Sequence, residues 1–205
     1  MKIFLTGKNG QVGSKLEEDL KKSHEIISTD RISLDLIGTQ HIKNTILLIK
    51  PDLIINAAAY TNVDQAEIEQ EKAFIINAKA PAILAQYCKQ QNIPLIHYST
   101  DYVFDGLSED LYSTDSATNP LNYYGRTKEI SEAIVLADKS NSNCVVRTSW
   151  LYSEKTENFV TKMATSALNN KIVEVVDDQF GHPTFTQDLS SWLVQLVGRN
   201  DLNGI

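Results

Sequence analysis

Lys2-Ile3-Phe4-Leu5-Thr6-Gly7-Lys8-Asn9-Gly10-Gln11-Val12-Gly13 opens the chain and decides its fold. A short apolar run leads directly into glycines spaced G-x-x-G-x-x-G, and a helix-like pattern follows. Glycine permits a tight turn with positive φ and lets the backbone approach a ligand closely. The helix after such a turn offers unpaired amides and the positive end of its dipole to a phosphate. The stretch predicts a pyrophosphate-binding turn at Gly7, Gly10 and Gly13; the alternative is an ordinary glycine-rich connection.

Short apolar runs alternate with helical patterns through the first 150 residues. The predicted strands, rich in Ile, Val and Leu, are Lys2–Thr6, Glu25–Thr29, Asp52–Ala58, Pro94–Thr100 and Asn143–Ser149. The predicted helices cover about 12–22, 39–50, 65–90 with breaks, and 122–138. Near-continuous apolar strands between helices indicate a parallel sheet that is covered on both faces. The fold class is therefore α/β, a Rossmann-type doubly wound parallel sheet with helices on both faces.

The pattern changes after Trp150. Residues Glu157–Asn170 and Gln187–Val197 have helical spacing, and Lys171–Val176 has the composition of a strand. Asn203-Gly204-Ile205 resembles the start of another strand, so we expect a truncated chain. We expect a dinucleotide-binding Rossmann domain over residues 1–150. Residues 151–205 would be an incomplete substrate-binding region, part of a small C-terminal lobe interleaved with the Rossmann core.

The composition excludes several classes of protein. The 205 residues are 42% hydrophobic and 22% charged, which is typical of a soluble globular protein. The net charge of −7 argues against nonspecific nucleic-acid binding. No apolar stretch has the length of a membrane span, and the N-terminus lacks a signal-peptide core, so we expect a cytoplasmic protein. We expect Cys88 and Cys144 to be buried thiols, and the scattered histidines to form no metal site.

Two features after the glycine turn bear on a dinucleotide. Asp30 ends the second predicted strand about twenty residues after the turn, where a carboxylate can accept both ribose hydroxyls of adenosine. Its neighbour Arg31 can stack on adenine or pair with a 2′-phosphate, so NADH and NADPH both stay open. Asn56-Ala57-Ala58-Ala59-Tyr60 ends the third strand with small side chains that leave room for a flat cofactor. A tight helix–sheet contact would also demand alanines there.

The candidate catalytic residues follow in a fixed order. Tyr124 and Lys128 are four residues apart, so both lie on one face of a helix. A nearby ammonium should lower the pKa of Tyr124 and make it a better proton donor. Thr100 or Ser99, at the end of a buried strand, can donate to a substrate carbonyl oxygen as a second electrophile. A dinucleotide turn, a strand-end hydroxyl and a later Tyr-x-x-x-Lys together indicate a reductase.

Together these stretches resemble the extended short-chain dehydrogenase/reductase superfamily and, within it, the dTDP-4-dehydrorhamnose reductase family. The resemblance covers nearly the whole chain, and the Thr-Asp-Tyr-Val-Phe and Arg-Thr-Ser-Trp strings are more specific than the glycine turn. The stretches that carry it are 7–13, 51–64 with Ala66-Glu67, Ser99-Thr100-Asp101-Tyr102-Val103-Phe104-Asp105-Gly106, Asn119-Pro120-Leu121-Asn122-Tyr123-Tyr124-Gly125-Arg126-Thr127-Lys128, Arg147-Thr148-Ser149-Trp150 and Asp177-Asp178-Gln179-Phe180-Gly181-His182-Pro183-Thr184.

The resemblance implies a role for each matching residue. The catalytic trio would be Thr100, Tyr124 and Lys128. The sugar would meet Thr100, Asp101, Tyr102 and Trp150. The residues at the cofactor would be Gly7, Gly10, Gln11, Val12, Gly13, Asp30, Asp35, Leu36, Ala58, Ala59, Tyr60, Thr61, Tyr98, Tyr124 and Lys128.

The activity that the resemblance implies is NADPH- or NADH-dependent reduction of the C4 keto group of dTDP-4-dehydro-L-rhamnose. The product, dTDP-L-rhamnose, is a precursor of bacterial surface polysaccharide. The implied partner is this nucleotide sugar, with no nucleic acid and no membrane, in a monomer or homodimer. Lys15 stands where some relatives carry an acid thought to help a metal-bridged dimer, which puts magnesium-dependent dimerisation in doubt.

Two alternatives remain. A nucleotide-sugar epimerase or dehydratase would keep NAD⁺ bound through its cycle, but no Glu follows Asp101, which disfavours dehydration. Reductase-like regulatory subunits of methionine adenosyltransferase share the resemblance without the activity, since a fold does not determine a function. The intact pair of Tyr124 and Lys128 favours an enzyme.

Overall fold

The structure, a computed structural model, describes residues 1–138, 142–154, 156–169, 172–199 and 201–205. A π-helical turn (Ile75–Lys79) and a 3₁₀ turn (Asp101–Val103) accompany the helices and strands. The strands are β1 (Lys2–Thr6), β2 (Glu25–Thr29), β3 (Leu53–Asn56), β4 (Leu95–Thr100), β5 (Cys144–Thr148), β6 (Leu151–Tyr152) and β7 (Thr184–Phe185). The helices are α1 (Gln11–Leu20), α2 (Thr39–Ile49), α3 (Val63–Ile68), α4 (Gln70–Phe74), α5 (Ala80–Gln91), α6 (Tyr123–Leu136), α7 (Phe159–Leu168) and α8 (Thr186–Leu196).

The main sheet has five parallel strands in the order β2-β1-β3-β4-β5. The chain steps from β1 outward to β2 and then returns to the other side of β1 as β3. The strand order therefore reverses between β1 and β3, and ligands of open α/β sheets bind outside the carboxyl ends of the strands at such a point. The predicted doubly wound parallel sheet is confirmed.

Alternate residues of the strands face two helical layers. On β1, Phe4 belongs to a core shared with residues of α2, α5 and α6. Ile3 and Leu5 belong to a second core, which includes residues of α1 and α8. All three side chains are fully buried. The alternation of one strand thus explains why the sheet needs helices on both of its faces.

The last helix completes the layer that begins with the first. Leu189 and Leu193 of α8 share a core cluster with Leu16 of α1, and Ser190 Oγ donates to Asp19 at 2.9 Å. Late in the chain, Gly204 forms an isolated parallel bridge with Cys144 at the edge of β5. The C-terminal stretch therefore packs directly on the sheet and helices formed by the first 150 residues.

Two details bear on the pattern-based prediction. The breaks expected in the helical stretch 65–90 are present, since it is divided into α3, α4, the π-helical turn and α5. The strand predicted at Lys171–Val176 is wrong, since residues 172–176 are irregular; Lys171 lies outside the described residues. Ile172 is 98% exposed. A β-branched composition alone does not make a strand, because a strand is stabilised by hydrogen-bonded and packed neighbours.

Both cysteines are buried free thiols. Burial raises the pKa of Cys88 to about 12, so this thiol stays protonated at neutral pH. In the part of the chain that the structure describes, no helix combines the length and the apolarity that crossing a membrane requires.

The packing of α1 on the glycine turn gives a first prediction. A Cβ at Gly13 would lie 2.1 Å from the carbonyl oxygen of Gly7, so Gly13→Ala should lower the free energy of unfolding by about 1–3 kcal/mol through overpacking. Urea denaturation measures the effect, and Ser14→Ala, one residue further along α1, is the matched control. Equal stability of Gly13→Ala and the wild type would show that the helix shifts away without cost.

Candidate active site

The glycine turn is fixed by contacts with two neighbouring strands. The amides of Gly7 and Lys8 both donate to the carbonyl oxygen of Thr29, at 2.9 and 3.0 Å. Gly7 has a φ of +78°, and a Cβ there would lie 2.8 Å from the backbone of Ala57. Glycine is therefore required at position 7 by conformation as well as by space. The turn brings the ends of β1, β2 and β3 together.

A cavity of about 400 Å³ lies beside this turn. Its lining includes ten of the predicted cofactor residues: Gly7, Gly10, Gln11, Val12, Asp30, Asp35, Leu36, Ala58, Ala59 and Thr61. The first turn of α1 begins at Gln11, and the amides of a first helical turn have no acceptor within their helix. The cavity therefore offers backbone donors and a positive helix end, which suit an anionic ligand.

Asp30 is held in place by local hydrogen bonds. Its Oδ1 accepts from the backbone amides of Ile32 and Ser33 and from the Ser33 hydroxyl, at 2.8 to 3.1 Å. Its Oδ2 accepts from Asn9 at 3.2 Å and lies 3.4 Å from Lys8 Nζ. These bonds, those of Ser33 first, hold the pKa of Asp30 well below its usual range. The acid is thus ionised and already surrounded by donors, and its neighbour Arg31 lines the same cavity.

The alanine run after β3 forms one wall of the cavity, but Tyr60 does not. The backbone amide of Tyr60 donates to Asn77 Oδ1 at 2.8 Å, and Asn77 Nδ2 donates back to the carbonyl oxygen of Tyr60 at 3.0 Å. The Tyr60 hydroxyl donates to Glu69 at 2.9 Å. Asn77 also donates to Thr127 Oγ1 at 3.0 Å. This asparagine of the π-helical turn therefore ties the cavity wall to α6.

Helix α6 brings Tyr124 to the end of β4. Its first turn is capped by Asn122, whose side chain accepts from the amide of Gly125 at 2.8 Å. A Cβ at Gly125 would lie 2.1 Å from the carbonyl oxygen of Tyr102. Only glycine allows α6 to approach the 3₁₀ turn this closely. The approach places Tyr124 in a hydrogen bond with Thr100.

The charge state of Tyr124 differs from the prediction. Burial raises the pKa of Tyr124 to about 12, although the hydrogen bond with Thr100 opposes the rise. Asp101 also raises it, and this carboxyl has a raised pKa itself because of its own burial. The expectation that Lys128 lowers the pKa of Tyr124 is wrong for this structure. The reason is the orientation of the amine of Lys128, which forms its hydrogen bonds with groups other than Tyr124.

Lys128 is 2% exposed and directs its amine into the sheet. Its Nζ donates to the carbonyl oxygen of Tyr98 at 2.5 Å and lies 3.1 Å from His97 Nε2. Burial lowers the pKa of Lys128 to about 7, with Glu132 acting in the opposite direction. The structure thus brings Thr100, Tyr124 and Lys128 to the same end of β4, with an uncharged phenol and an amine that titrates near neutral pH.

Several predicted residues lie outside the cavity by the turn. Gly13 packs beneath it, and the side chain of Tyr98 belongs to the core on the α1 and α8 face. Trp150 is 44% exposed and has a φ of 43°. Thr148, two residues before Trp150, is in register with Thr100. Trp150 therefore follows β5 at the same edge of the sheet as Thr100.

Sequence reasoning missed several residues of the site. Leu34, Ile76 and Leu151 line the cavity although no motif contains them. Asn77 and His97 bond to site residues from elements that the pattern described only as helix or strand. A polar residue within an apolar strand was the available signal for His97. Among the described residues, no three His, Cys, Asp or Glu side chains are grouped as metal ligands would be.

Comparison with known proteins adds to this geometry. A family model described as "RmlD substrate binding domain" matches residues 1–204. A dTDP-4-dehydrorhamnose reductase from Aggregatibacter actinomycetemcomitans is 38% identical over 198 residues, which are 96% of this chain and 67% of that protein. A dTDP-4-keto-6-deoxy-D-glucose reductase from Streptomyces niveus is 37% identical over 98% of this chain and 70% of its own length.

Solved structures agree with the sequence matches. The crystal structure of dTDP-4-dehydrorhamnose reductase from Bacillus anthracis in complex with NADP superposes with a TM-score of 0.91 at 35% identity. The superposition covers 99% of this chain and 73% of that one. The whole described fold, including α8, is therefore shared with a chain that is longer.

The buried amine of Lys128 gives a prediction about pH. In the unfolded chain a lysine keeps its proton up to about pH 10.5, whereas in the folded protein the pKa is about 7. Between these values the unfolded state binds more protons, so native stability rises with pH, by at most about 1.4 kcal/mol per unit. The free energy of unfolding of Lys128→Met minus that of the wild type should therefore decrease between about pH 7 and about pH 10.

Urea denaturation at several pH values measures this difference, and Lys43→Met, at an exposed position on α2, gives the baseline. A difference between Lys128→Met and the wild type that is the same at every pH would contradict the lowered pKa.

Proposed function

This chain belongs to the family of the RmlD substrate binding domain, and from that premise we propose that it is a nicotinamide-dependent reductase of a nucleotide-linked 4-keto sugar. The substrate we assign is dTDP-4-dehydro-L-rhamnose, and the product is dTDP-L-rhamnose. The observation that carries the proposal is the placement of Thr100, Tyr124 and Lys128 at the end of β4. The glycine turn and the cavity of about 400 Å³ beside it lie at the carboxyl ends of the neighbouring strands.

The cavity fits the dinucleotide. A side chain at Gly7 or Gly13 would collide with backbone, so the turn keeps a bare backbone surface next to the open end of α1. Such a surface can hold a pyrophosphate by its amides. Asp30 and Arg31 stand where the adenosine ribose would lie, and Ala58 and Ala59 leave room for the flat rings. When bound, the reduced nicotinamide supplies a hydride to the carbonyl carbon of the sugar.

Tyr124 supplies the proton for this reduction. With its pKa raised to about 12 the phenol is fully protonated at neutral pH, so the proton is present when the carbonyl oxygen becomes an alkoxide. The Thr100 hydroxyl donates to Asp101 Oδ1 at 3.0 Å in the structure, and on substrate binding it would turn to donate to the same oxygen and polarise the carbonyl. Loss of the proton leaves a phenolate. This phenolate takes up a proton again before the next turnover, and Lys128, one turn further along α6, is assigned to hold the nicotinamide ribose of the cofactor and to tune Tyr124.

The sugar is proposed to lie between the 3₁₀ turn and the stretch after β5. Asp101 and Tyr102 follow Thr100 directly, and the Tyr102 ring meets the Tyr124 ring edge-on with 5.7 Å between their centroids. Trp150 presents a half-buried indole at the same edge. We assign residues 151–205 to the substrate-binding part. The relatives that the chain matches are longer than it is.

The first test of the proposal is Tyr124→Phe. This change removes the proton donor and keeps the ring, so kcat should fall by roughly 100- to 10,000-fold. Tyr123→Phe, one residue earlier on α6 and half-buried, is the matched control and should keep its turnover. Oxidation of the reduced cofactor at 340 nm with dTDP-4-dehydro-L-rhamnose is the measurement, with dTDP-4-keto-6-deoxy-D-glucose compared as a second substrate.

Undiminished turnover in Tyr124→Phe would exclude the acid role. Activity on the second sugar alone would keep the reductase and change its substrate. Cofactor that co-purifies in the oxidised form and is retained through turnover would favour an epimerase.

The second test concerns the choice of cofactor. Lys8 and Asn9 already engage Asp30, so the acid repels a 2′-phosphate less than an unpaired carboxylate would, and Arg31 lines the same cavity. We propose that NADPH is accepted, with Arg31 pairing with its 2′-phosphate. Arg31→Ala should weaken NADPH binding by about 10- to 100-fold and NADH binding by less than about 3-fold.

Fluorescence titration of both reduced cofactors measures the two dissociation constants. Lys22→Ala, which removes an exposed charge at the far end of α1, is the control. Equal weakening of NADPH and NADH would indicate that Arg31 stacks on the adenine instead.

A further inference from the structure

Three polar side chains lie in one row across the buried sheet. Thr6 of β1 is in register with Asn56 of β3, and Asn56 is in register with His97 of β4. None of the three is more than 1% exposed. Parallel strands that are covered on both faces are ordinarily apolar, and buried polar groups are found where they are hydrogen-bonded. The polar groups of Thr6, Asn56 and His97 should therefore each have identifiable hydrogen-bond partners.

The direction of the hydrogen bonds fixes the tautomer of His97. The Thr6 hydroxyl donates to Asn56 Oδ1 at 2.6 Å, which turns the amide nitrogen of Asn56 toward His97 Nδ1, at 2.9 Å. An amide nitrogen can only donate, so Nδ1 accepts and a neutral ring carries its proton on Nε2. Burial, followed by the nearby Lys128, holds the pKa of His97 well below its usual value, so the ring is neutral.

The proton on Nε2 lies between a hydroxyl and the amine of Lys128. His97 Nε2 is 2.9 Å from Ser131 Oγ and 3.1 Å from Lys128 Nζ. The Ser131 hydroxyl donates its own hydrogen to the carbonyl oxygen of Lys128 at 2.6 Å, so its oxygen can accept from the ring. A neutral amine on Lys128 can accept a hydrogen bond from the Nε2–H of His97 through its lone pair. A charged ammonium has no lone pair, so its hydrogens and the Nε2–H repel each other.

Other titratable groups bear on this amine less directly. His97 faces it from β4, where Tyr98 contributes its carbonyl oxygen and not its phenol, and Tyr124 and Glu132 belong to its own helix. Glu132 raises the pKa of Lys128, but Arg147 of β5 holds this carboxylate in two hydrogen bonds, at 2.6 and 3.0 Å. Among the described residues, the hydrogen-bonding contacts of the amine are the carbonyl oxygen of Tyr98 and the ring of His97.

We propose that His97 is a positioning residue for Lys128, whose amine it holds at the end of β4 through a ring kept in one tautomer by Asn56 and Ser131. The ring touches neither the proposed substrate nor the proposed cofactor. It acts through Lys128 by fixing where the nitrogen lies and by favouring the amine over the ammonium. The importance of His97 for catalysis rests on the proposed function, in which Lys128 acts on Tyr124. The hydrogen-bond pattern around His97 does not depend on that function.

Nuclear magnetic resonance of the whole chain tests the pattern without any turnover. With nitrogen-15 histidine, the His97 signals should show the neutral Nε2–H tautomer from about pH 6 to 9. With carbon-13 at lysine Cε, the Lys128 signal, assigned by its loss in Lys128→Met, should titrate separately near pH 7. In His97→Leu this midpoint should move by at least about 0.5 unit, as the amine loses one of two partners.

Two variants separate positioning from general packing. His97→Gln can place an amide N–H where the Nε2–H lies, and should return the Lys128 titration toward that of the wild type. His41→Gln, an exposed histidine on α2, is the control and should leave the Lys128 signal unchanged. Ser131→Ala removes the oxygen that accepts the ring proton and should alter both the His97 nitrogen signals and the Lys128 midpoint. If His97→Leu does not fold, Ser131→Ala provides the test of the proposal.

Turnover gives the second readout. A misplaced amine should lower kcat by roughly 10- to 100-fold in His97→Leu, with KM for the sugar within about 3-fold, and His97→Gln should recover most of the loss. An Nδ1–H tautomer in the wild type overturns the proposal, as does a Lys128 titration that is unchanged in both His97→Leu and Ser131→Ala. The expected resonance pattern in a protein that does not reduce the sugar would refute the proposed function and leave the positioning of Lys128 standing.

Discussion

The carbonyl oxygen of Gly7 occupies the space in which a side chain at residue 13 would begin, and the candidate site is built outward from that contact. It sets the distance between the first strand and the first helix. The amides of Gly7 and Lys8 tie the same turn to the end of β2. The backbone of Ala57 closes it from β3. Three strand ends and one helix end thus converge on a single cavity, which no pair of these elements would form alone.

Much of the fold followed from local patterns in the sequence. The runs Lys2–Thr6 and Glu25–Thr29 are strands with the predicted bounds, because a short apolar run between turn residues leaves little freedom. The run at 171–176 has a similar composition, yet residues 172–176 do not form a strand. Strand formation depends on a partner edge, which is a property of tertiary structure. The π-helical turn that places Asn77 likewise has no local signal, since it depends on the fit of α5 and α6 around it.

The candidate site likewise combines features that the sequence predicts with features that depend on tertiary structure. The spacing of Tyr124 and Lys128 placed both on one helical face, and Thr100 was expected at the end of its strand. The orientation of the Lys128 amine was not predictable, because its partners Tyr98 and His97 lie 30 and 31 residues away and become neighbours only through the packing of α6 on β4. The pKa of Tyr124 was predicted in the wrong direction for the same reason. Charge alone suggested attraction to the phenol, whereas burial dominates both groups.

Helix α8 covers the same face of the molecule as α1, with Leu193 fully buried beside Leu16. A fragment cut after residue 150 would lose that cover and present an apolar stripe of α1 to water, at the helix whose other end faces the ligand cavity. The stretch of chain that must fold together is consequently longer than the stretch that contacts a dinucleotide. Exchanging the segment after β5 between relatives would alter the support of the glycine turn along with any change in specificity.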